Sequence, residues 1–299
     1  MIPMIVNRSQ RWRDRRDHYV PASSEIDPTT LAVDVIDCMK TAKPWIEQHH
    51  YSGSFPASRL SLGLFQNGKG GRPRLVGACT FSQPVNNASV PLRTGLDCHR
   101  RAVDLGRFVL LDDVAGNGET WFLSRAMRAL RREKPDVLSV ISYADPVPRT
   151  TADGQVIKPG HIGMIYAVMG AAYRGRATPR MDTLCPDGQP FNDRKLSKIR
   201  AGEQGHAYSV DGLVTMGAPA PADDDLRGWL AGLYATGFLT RRRHPGNHVY
   251  VFEMTRAAKL AARGLPRLNY PQLDAAPGSR DVTALPLLAR ALDMTVSHV

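Results

Sequence analysis

A strand, a glycine-rich turn and a helix follow one another between residues 103 and 133, and this run constrains the fold most. The segment VDLGRFVLLDD (103–113) is largely apolar, and GNGETWFLSRAMRALRRE (116–133) leads from glycines into an amphipathic helix. A helix N-terminus presents unpaired N–H groups and a partial positive charge, which bind phosphate. The run therefore predicts a phosphate site; a plain turn capped by Asn117 or Thr120 is the alternative.

The composition narrows the class of protein. Apolar residues make up 42% of the chain, and no apolar run is long enough to cross a membrane, so we expect a globular cytoplasmic protein. The four cysteines include no C-x-x-C pair, which argues against a zinc ribbon and against a disulfide framework. The net charge of +11 favours a polyanionic partner, and nucleic acid is the expected one.

The basic residues are clustered rather than spread evenly. The clusters are RSQRWRDRR (8–16), RALRREK (128–134), NDRKLSKIR (192–200) and RRRH (241–244). Such clusters neutralise the phosphates of double-stranded DNA. We expect six side chains to contact the DNA backbone: Lys195, Lys198, Arg200, Arg241, Arg242 and Arg243. A solvated basic surface without a partner is the alternative.

The order of predicted elements indicates the fold. Hydrophobic patterning predicts a helix, a hairpin, a strand, the glycine turn with its helix, a strand, a helix and a last strand or hairpin. The segments are 31–40, 59–66 with 74–82, 103–113, 116–133, 136–145, 161–175 and 182–191. This order resembles that of the acyl-CoA-dependent N-acetyltransferases, the GNAT superfamily. The resemblance implies an α/β fold, a mixed central sheet flanked by helices, in which the turn after the fourth strand holds the coenzyme A pyrophosphate.

Three parts of the chain differ in composition. Residues 1–30 form a basic arm, 31–216 the GNAT-like catalytic domain, and 217–299 an extension that begins with the linker GAPAPA (217–222). Within the extension, residues 223–265 resemble the last helix and wing of a small winged helix-turn-helix. A helical lid or a dimer arm is the alternative, and a dimer arm would make the protein a homodimer.

Two short segments carry groups suited to proton transfer. Asp145 ends the strand SYAD (142–145), His161 opens the helix of GHIGMIY (160–166), and Tyr166 lies further along it. These groups can position, deprotonate and reprotonate an attacking amine. A turn residue, a residue near a helix start and a core tyrosine are the alternatives for the three.

The loop HHYSG (49–53) places a tyrosine beside two histidines. A stacking aromatic ring next to a histidine suits a base that has been rotated out of a duplex. The sequence therefore predicts a base-binding loop at His50, Tyr51 and Ser52.

Taken together, HHYSG, LGRF with GNGETWFLS, SYADP with GHIGMIYAVMGAAYRG, and RKLSKIR resemble the Mom family over roughly residues 40–205. These are DNA-modification proteins of phages and mobile elements. The resemblance implies transfer of an acyl or acyl-derived group from acetyl-CoA or a related acyl-CoA to a base amine, either adenine N6 or an already modified base. Such a modification would protect phage DNA from restriction in the bacterial cytoplasm. The long insert between Asp145 and His161 departs from the family and leaves the target base open.

The resemblance also implies a role for each matched residue. Asp145 would be the general base or the group that orients the amine, and Tyr166 would be the general acid that protonates the leaving thiolate. His161 would be a third catalytic residue. The donor would contact ten residues: Arg107, Phe108, Val109, Leu110, Gly116, Asn117, Gly118, Glu119, Thr120 and Ser124. The sequence contains no contiguous metal motif, and a metal, if one is needed, would be held by groups such as His50 and Asp145.

Two other functions remain open on the sequence alone. One is a non-enzymatic DNA-binding or regulatory protein on the same scaffold, and the other is an acetyltransferase acting on tRNA, protein or a small amine. Coenzyme A should raise the melting temperature of an enzyme and leave that of a pure DNA-binding protein unchanged.

Overall fold

The computed structural model describes residues 8–13, 16–21, 24–67, 71–154, 156–158 and 160–272. Parts of the predicted basic arm and residues 273–299 of the predicted extension lie outside the described residues. The chain divides into two compact units. The first comprises the described residues of 1–146, 161–175 and 248–299, and the second comprises those of 147–160 and 176–247. This division does not follow the expected boundary at residue 217.

The described strands and helices are numbered in chain order. The strands are β1 (Arg8–Arg13), β2 (Arg16–Pro21), β3 (Leu31–Val35), β4 (Ser58–Asn67), β5 (Pro73–Ser82), β6 (Ala102–Leu110), β7 (Ser139–Ala144), β8 (Arg149–Thr150), β9 (Val156–Lys158), β10 (Ala172–Arg176), β11 (Arg180–Leu184), β12 (Pro190–Phe191), β13 (Thr240–His244) and β14 (His248–Glu253). The α-helices are α1 (Lys43–His49), α2 (Ser89–Thr94), α3 (Gly118–Glu133), α4 (Met164–Val168), α5 (Asp193–Ala201), α6 (His206–Thr215), α7 (Leu226–Ala235) and α8 (Arg256–Ala261). Within the part of the chain described, no helix is both long and apolar enough to span a membrane.

A seven-stranded sheet is the centre of the first unit. Its strand order is β10-β14-β7-β6-β5-β4-β3. Neighbours from β3 to β6 run antiparallel, β6 and β7 run parallel, and β14 runs antiparallel to β7. The fold is therefore mixed α/β with a mostly antiparallel sheet flanked by helices, as the element order predicted in outline.

The parallel pair of strands is short. β6 pairs with β7 only from Ala102 to Asp104, opposite Ser139 to Ile141. Pairing of β6 with β5 continues as far as Leu110. The later half of β6 thus has β5 on one side and no described ladder to β7 on the other. The glycine turn and α3 follow directly.

Helix α3 covers one face of this sheet, as its pattern predicts. Phe122, Leu123, Ala126 and Leu130 are fully buried on it. They pack in one cluster with sheet residues that include Leu62, Leu64, Val76, Val103 and Val140. Burying a leucine or phenylalanine side chain stabilises the fold by roughly 1.5–3 kcal/mol. The buried residues of α3 therefore anchor the helix, and the glycine turn before it, at the end of β6.

The predicted helix over 31–40 is wrong. Residues 31–35 form strand β3, and a π-helical turn over Cys38–Ala42 leads into α1. Leu31 and Val33 are partly buried while Ala32 and Asp34 are exposed, which is the alternation of an edge strand. β-branched residues in this segment also favour a strand.

The predicted helix over 161–175 is only partly correct. Helix α4 covers Met164–Val168, and the chain then continues as strand β10. Gly163 and Gly170 have positive φ angles of 82° and 77°, and these residues bracket the helix. L-residues rarely adopt that conformation, so the two glycines set the length of α4.

The C-terminal segment does not form a winged helix-turn-helix. The two expected wing strands are separate: β13 pairs with β11, and β14 lies in the seven-stranded sheet between β7 and β10. The hairpin predicted over 182–191 is present as β11 and β12, but it belongs to a three-stranded sheet of order β12-β11-β13. The second unit has its own core around Leu196, Ile199 and Leu213.

Candidate active site

The glycine turn lies against the segment that precedes β3. The N–H of Gly116 donates to the backbone oxygen of Ser24 at 3.1 Å and to its Oγ at 2.9 Å. Asn117 occupies the N-cap position, but its side-chain oxygen accepts from Ile26 N–H at 2.9 Å instead of capping the helix. The Gly116 N–H is therefore already paired within the chain, and the first turn of α3 begins two residues later at Gly118.

Gly118 is required by close packing. A Cβ at this position would lie 2.4 Å from Cγ1 of Val114, closer than carbon atoms approach. Its N–H donates to Ala115 oxygen at 2.9 Å. The next two residues, Glu119 and Thr120, are partly buried, and the Thr120 hydroxyl donates to Asn117 oxygen at 3.1 Å. The turn is therefore tight, and its shape depends on the absence of a side chain at position 118.

The other residues predicted to contact the acyl-CoA lie on β6 and α3. The Phe108 ring stacks on Phe122 at 5.4 Å between centroids, and the side chains of Val109 and Leu110 are buried. At the edge of β6 that faces away from β5, these residues therefore present backbone groups and not side chains. Ser124 is partly buried one turn into α3.

Arg107 holds the HHYSG loop in place. Its Nε donates to Ser54 oxygen at 2.9 Å, and its Nη2 donates to Ser54 Oγ at 2.7 Å. Nη1 donates to Gly106 oxygen at 2.6 Å. Burial lowers the pKa of the guanidinium, which Tyr51 partly offsets. Arg107 was predicted to contact the acyl-CoA donor, and its hydrogen-bond partner Ser54, 53 positions away, was not predicted.

His50 is held as a neutral imidazole. Burial is the main cause that lowers its pKa to about 3, and the charges of Arg107 and His161 lower it further. Ser52 N–H donates to His50 Nδ1 at 3.1 Å, and Ser52 Oγ lies 2.9 Å from the same nitrogen. Because Nδ1 accepts the backbone N–H, the neutral ring carries its proton on Nε2, where it acts as a donor.

Tyr51 lies beside His50 and interacts electrostatically with Tyr166 of α4. Its ring lies 4.3 Å from that of His50, with 31° between the planes. Tyr166 is 9% exposed, and burial raises its pKa, with Tyr51 and the buried thiol of Cys79 as further causes. The structure therefore places five residues within range of one another's charges: His50, Tyr51, Arg107, His161 and Tyr166. The first and the last of them are more than a hundred positions apart in the sequence. Cys79 was not predicted there.

Asp145 and His161 meet at the end of β7. Asp145 directly follows the strand and is 9% exposed, while His161 is exposed. The His161 N–H donates to the Asp145 backbone oxygen at 2.9 Å. The two ends of the insert between Asp145 and His161 are therefore adjacent. Among the residues that the structure describes, no group of three or more His, Cys, Asp or Glu side chains is arranged to hold a metal ion.

Comparison with known proteins shows the family of this chain. The model of the Mom protein family matches residues 30–218, a range that includes His50, Arg107, Asp145, His161 and Tyr166. The chain belongs to the Mom family. It is 29% identical over 182 residues to the protein of Escherichia phage Mu named methylcarbamoylase mom, and the match covers 60% of this chain and 66% of that relative. Strands β13 and β14 lie beyond the family match, although β14 completes the central sheet.

The predicted DNA contacts of this Mom-family chain lie on the second unit. Lys195 and Arg200 are exposed on α5, and Lys198 is partly buried there. Arg241, Arg242 and Arg243 are exposed on β13. Their separate positions on two elements of one unit are compatible with a shared basic surface.

A buried carboxyl group was missed by the sequence analysis. Asp104 on β6 is 3% exposed, and its Oδ2 accepts from Val85 N–H at 3.0 Å, whereas its Oδ1 is buried without a hydrogen bond. Burial raises its pKa to about 6. Tyr143, across the parallel pair, has its pKa raised to about 12 by burial and by Asp104. Within the strand pattern VDL, Asp104 reads as an ordinary polar residue, so the sequence did not predict that it is buried near Tyr143.

The raised pKa of Asp104 predicts a pH-dependent stability. Its contribution is complete below the ordinary value of 3.8 and is lost as pH rises through about 6, because the folded protein disfavours the carboxylate. Asp104→Asn removes this loss. The variant should therefore gain about 3 kcal/mol in free energy of unfolding relative to the parent between about pH 4 and pH 7, measured by denaturant titration. Asp97→Asn, at an exposed carboxyl, sets the background; a gain no larger than that background contradicts the assignment.

Proposed function

We propose that this protein is a DNA-modifying transferase that moves an acyl or acyl-derived group from a coenzyme A-type donor to a base amine in duplex DNA. The acceptor is adenine N6 or an already modified base, and the product protects phage DNA from restriction. Membership of the Mom family and the name of the phage Mu relative support DNA modification. The donor and the acceptor are the parts that this proposal adds.

The observation that carries the proposal is the early end of the parallel pair. β6 is the fourth strand of the central sheet in chain order, and it leaves its ladder with β7 after Asp104. The glycine turn and α3 follow at its end. This is where the N-acyltransferase resemblance places an acyl-CoA, with the pyrophosphate at the turn.

The edge of β6 suits the pantetheine arm of the donor. An extended chain with amide groups adds to an open strand edge through backbone hydrogen bonds, as peptides do in β-augmentation. Residues 107–110 supply such backbone groups. The first-turn N–H groups of α3 and its dipole then face the pyrophosphate.

The side chains of the site provide the proton transfers. In this proposal the base amine attacks the acyl carbon, its proton passes to Asp145, and the bond between carbon and sulfur breaks. Tyr166 gives its proton to the departing thiolate, and burial keeps the phenol protonated until then. His50, through its Nε2 proton, and Tyr51, through its ring, receive the extruded base, with Ser52 fixing the imidazole.

One observation favours the second candidate, a DNA-binding protein without enzymatic activity. Ser24 already accepts the Gly116 N–H, so that part of the turn has no donor left for a phosphate. We therefore place the pyrophosphate beyond Gly118, at the first turn of α3, where the helix dipole favours an anion.

The test is nucleoside mass spectrometry of DNA from a host that expresses the protein. We expect a deoxynucleoside of increased mass that is absent from the same host carrying an empty vector. DNA without any new nucleoside, in cells that contain folded protein, would favour the binding protein.

A further inference from the structure

The pairing of β11 with β13 sorts the three arginines of RRRH onto two faces. Arg243 lies opposite Met181, Arg242 opposite Asp182, and Arg241 opposite Thr183. Successive side chains of a strand point to opposite faces, and directly paired residues share a face. Arg241 and Arg243 therefore lie on one face, and Arg242 lies on the other.

On the face of Arg242, side chains make contacts within the second unit, although Arg242 itself is exposed. Arg242 Nη1 donates to Pro148 oxygen at 3.0 Å. Beside it, the buried Asp182 carboxylate pairs with Arg180 at 2.7 Å and with Arg149 at 3.7 Å. These contacts hold the segment that begins at residue 147, so Arg242 has a structural role.

The opposite face contains a cavity of about 270 Å³. Eight residues line it: Met181, Thr183, Asp193, Leu196, Ser197, Arg200, Tyr234 and Arg241. The Arg241 guanidinium lies over the Tyr234 ring at 4.7 Å, and the Tyr234 hydroxyl is 2.8 Å from Thr183 Oγ1. The ring thus fixes the cation at the surface while leaving its N–H groups able to donate.

Charge decides what such a surface can bind. Two guanidinium groups and one carboxylate, that of Asp193, line the cavity, and Arg243 extends the positive surface along β13. Arg241 and Arg243 are two positions apart, so their Cα atoms are separated by roughly 6.8 Å along the strand. Exposed arginines with a serine hydroxyl beside them are groups that contact the phosphate oxygens of a nucleic-acid strand.

We infer that the face of the second unit formed by Ser197, Arg200, Tyr234, Arg241 and Arg243 binds the phosphate backbone of duplex DNA, and that Arg242 takes no part. The inference rests on the proposed function for the identity of the partner. The new parts are the surface that would bind the DNA and the separate role of Arg242 within the RRRH cluster (241–244).

The experiment measures binding of the full chain to a fluorescent duplex by anisotropy, without donor, at several salt concentrations. Arg241→Gln with Arg243→Gln should lower the salt slope by about two, since each phosphate contact contributes about 0.9. At about 0.1 M salt this corresponds to a loss of affinity of roughly fiftyfold or more. The matched control, Arg242→Gln, removes an identical charge from the same strand and should leave the slope within about 0.3 of the parent.

The outcomes separate this inference from the proposed function. Equal losses in the double variant and in Arg242→Gln, after correction for the number of charges, would overturn the division of faces. Unchanged binding in the double variant would overturn the surface, even if the parent protein modifies DNA. Should Arg242→Gln destabilise the unit, Arg242→Met removes the same charge while it keeps a long side chain, and it serves as the control. A parent that binds through these arginines but modifies no base would leave the inference intact and refute the transferase.

Discussion

Asp145→Asn should lower base modification by roughly a hundredfold or more, which is the usual contribution of a positioned general base. The substitution keeps the shape of the side chain and removes the carboxylate that would accept the amine proton. An exocyclic amine is a weak nucleophile because its lone pair is delocalised into the ring, so the reaction depends on this group. Folding and coenzyme A binding should survive, because the proposed contacts with the donor lie on β6 and α3. Nucleoside mass spectrometry gives the extent of modification.

The control for Asp145→Asn is Asp97→Asn, the same change at an exposed position. This control variant should modify DNA as well as the parent. If Asp145→Asn also retains full activity, the catalytic centre does not lie at the end of β7, whatever the donor is.

Gly118→Ala should weaken coenzyme A binding by about tenfold or more, equivalent to at least 1.4 kcal/mol. The new Cβ would lie 2.4 Å from Val114, so the turn must shift and the first-turn N–H groups move with it. The larger Gly118→Val should weaken binding further. Thermal shift at increasing coenzyme A concentration measures the effect, and Gly212→Ala in α6, where a Cβ meets nothing within 4 Å, is the control.

A second variant protects this prediction if Gly118→Ala folds poorly. Glu119→Gln removes a negative charge from the first turn of α3, where the pyrophosphate is placed, and should tighten coenzyme A binding severalfold. Coenzyme A affinity that is unchanged in both folded variants would show that the donor does not bind at this turn.

The sequence predicts much of the first unit because its strands and α3 have strong local patterns. The strands near 59–66, 74–82 and 103–113 and the helix after the glycine turn are all present. The failures occur where local pattern is ambiguous. Residues 31–35 are apolar enough for either element, and Gly163 and Gly170 divide what reads as one amphipathic helix. The placement of β14 depends on long-range pairing with β7, which no local pattern encodes.

The candidate site shows the same limit. Residue types and the Mom resemblance predict a site at His50 with Tyr51, Asp145, His161 and Tyr166, but they do not predict the contacts that organise these residues. Arg107 holds the loop through Ser54, a bond that joins two elements 53 positions apart. The split of Arg242 from Arg241 and Arg243 likewise needs the register of β13 on β11.

The central claim is transfer from a coenzyme A donor to DNA, and one reconstitution tests it directly. Purified protein is incubated with duplex DNA and acetyl-CoA labelled with ¹³C in the acetyl group, and the digested nucleosides are analysed by mass spectrometry. We expect a heavier nucleoside that carries the label, formed by the parent and at least a hundredfold less by Asp145→Asn. Unlabelled DNA from folded protein that binds the duplex would contradict it.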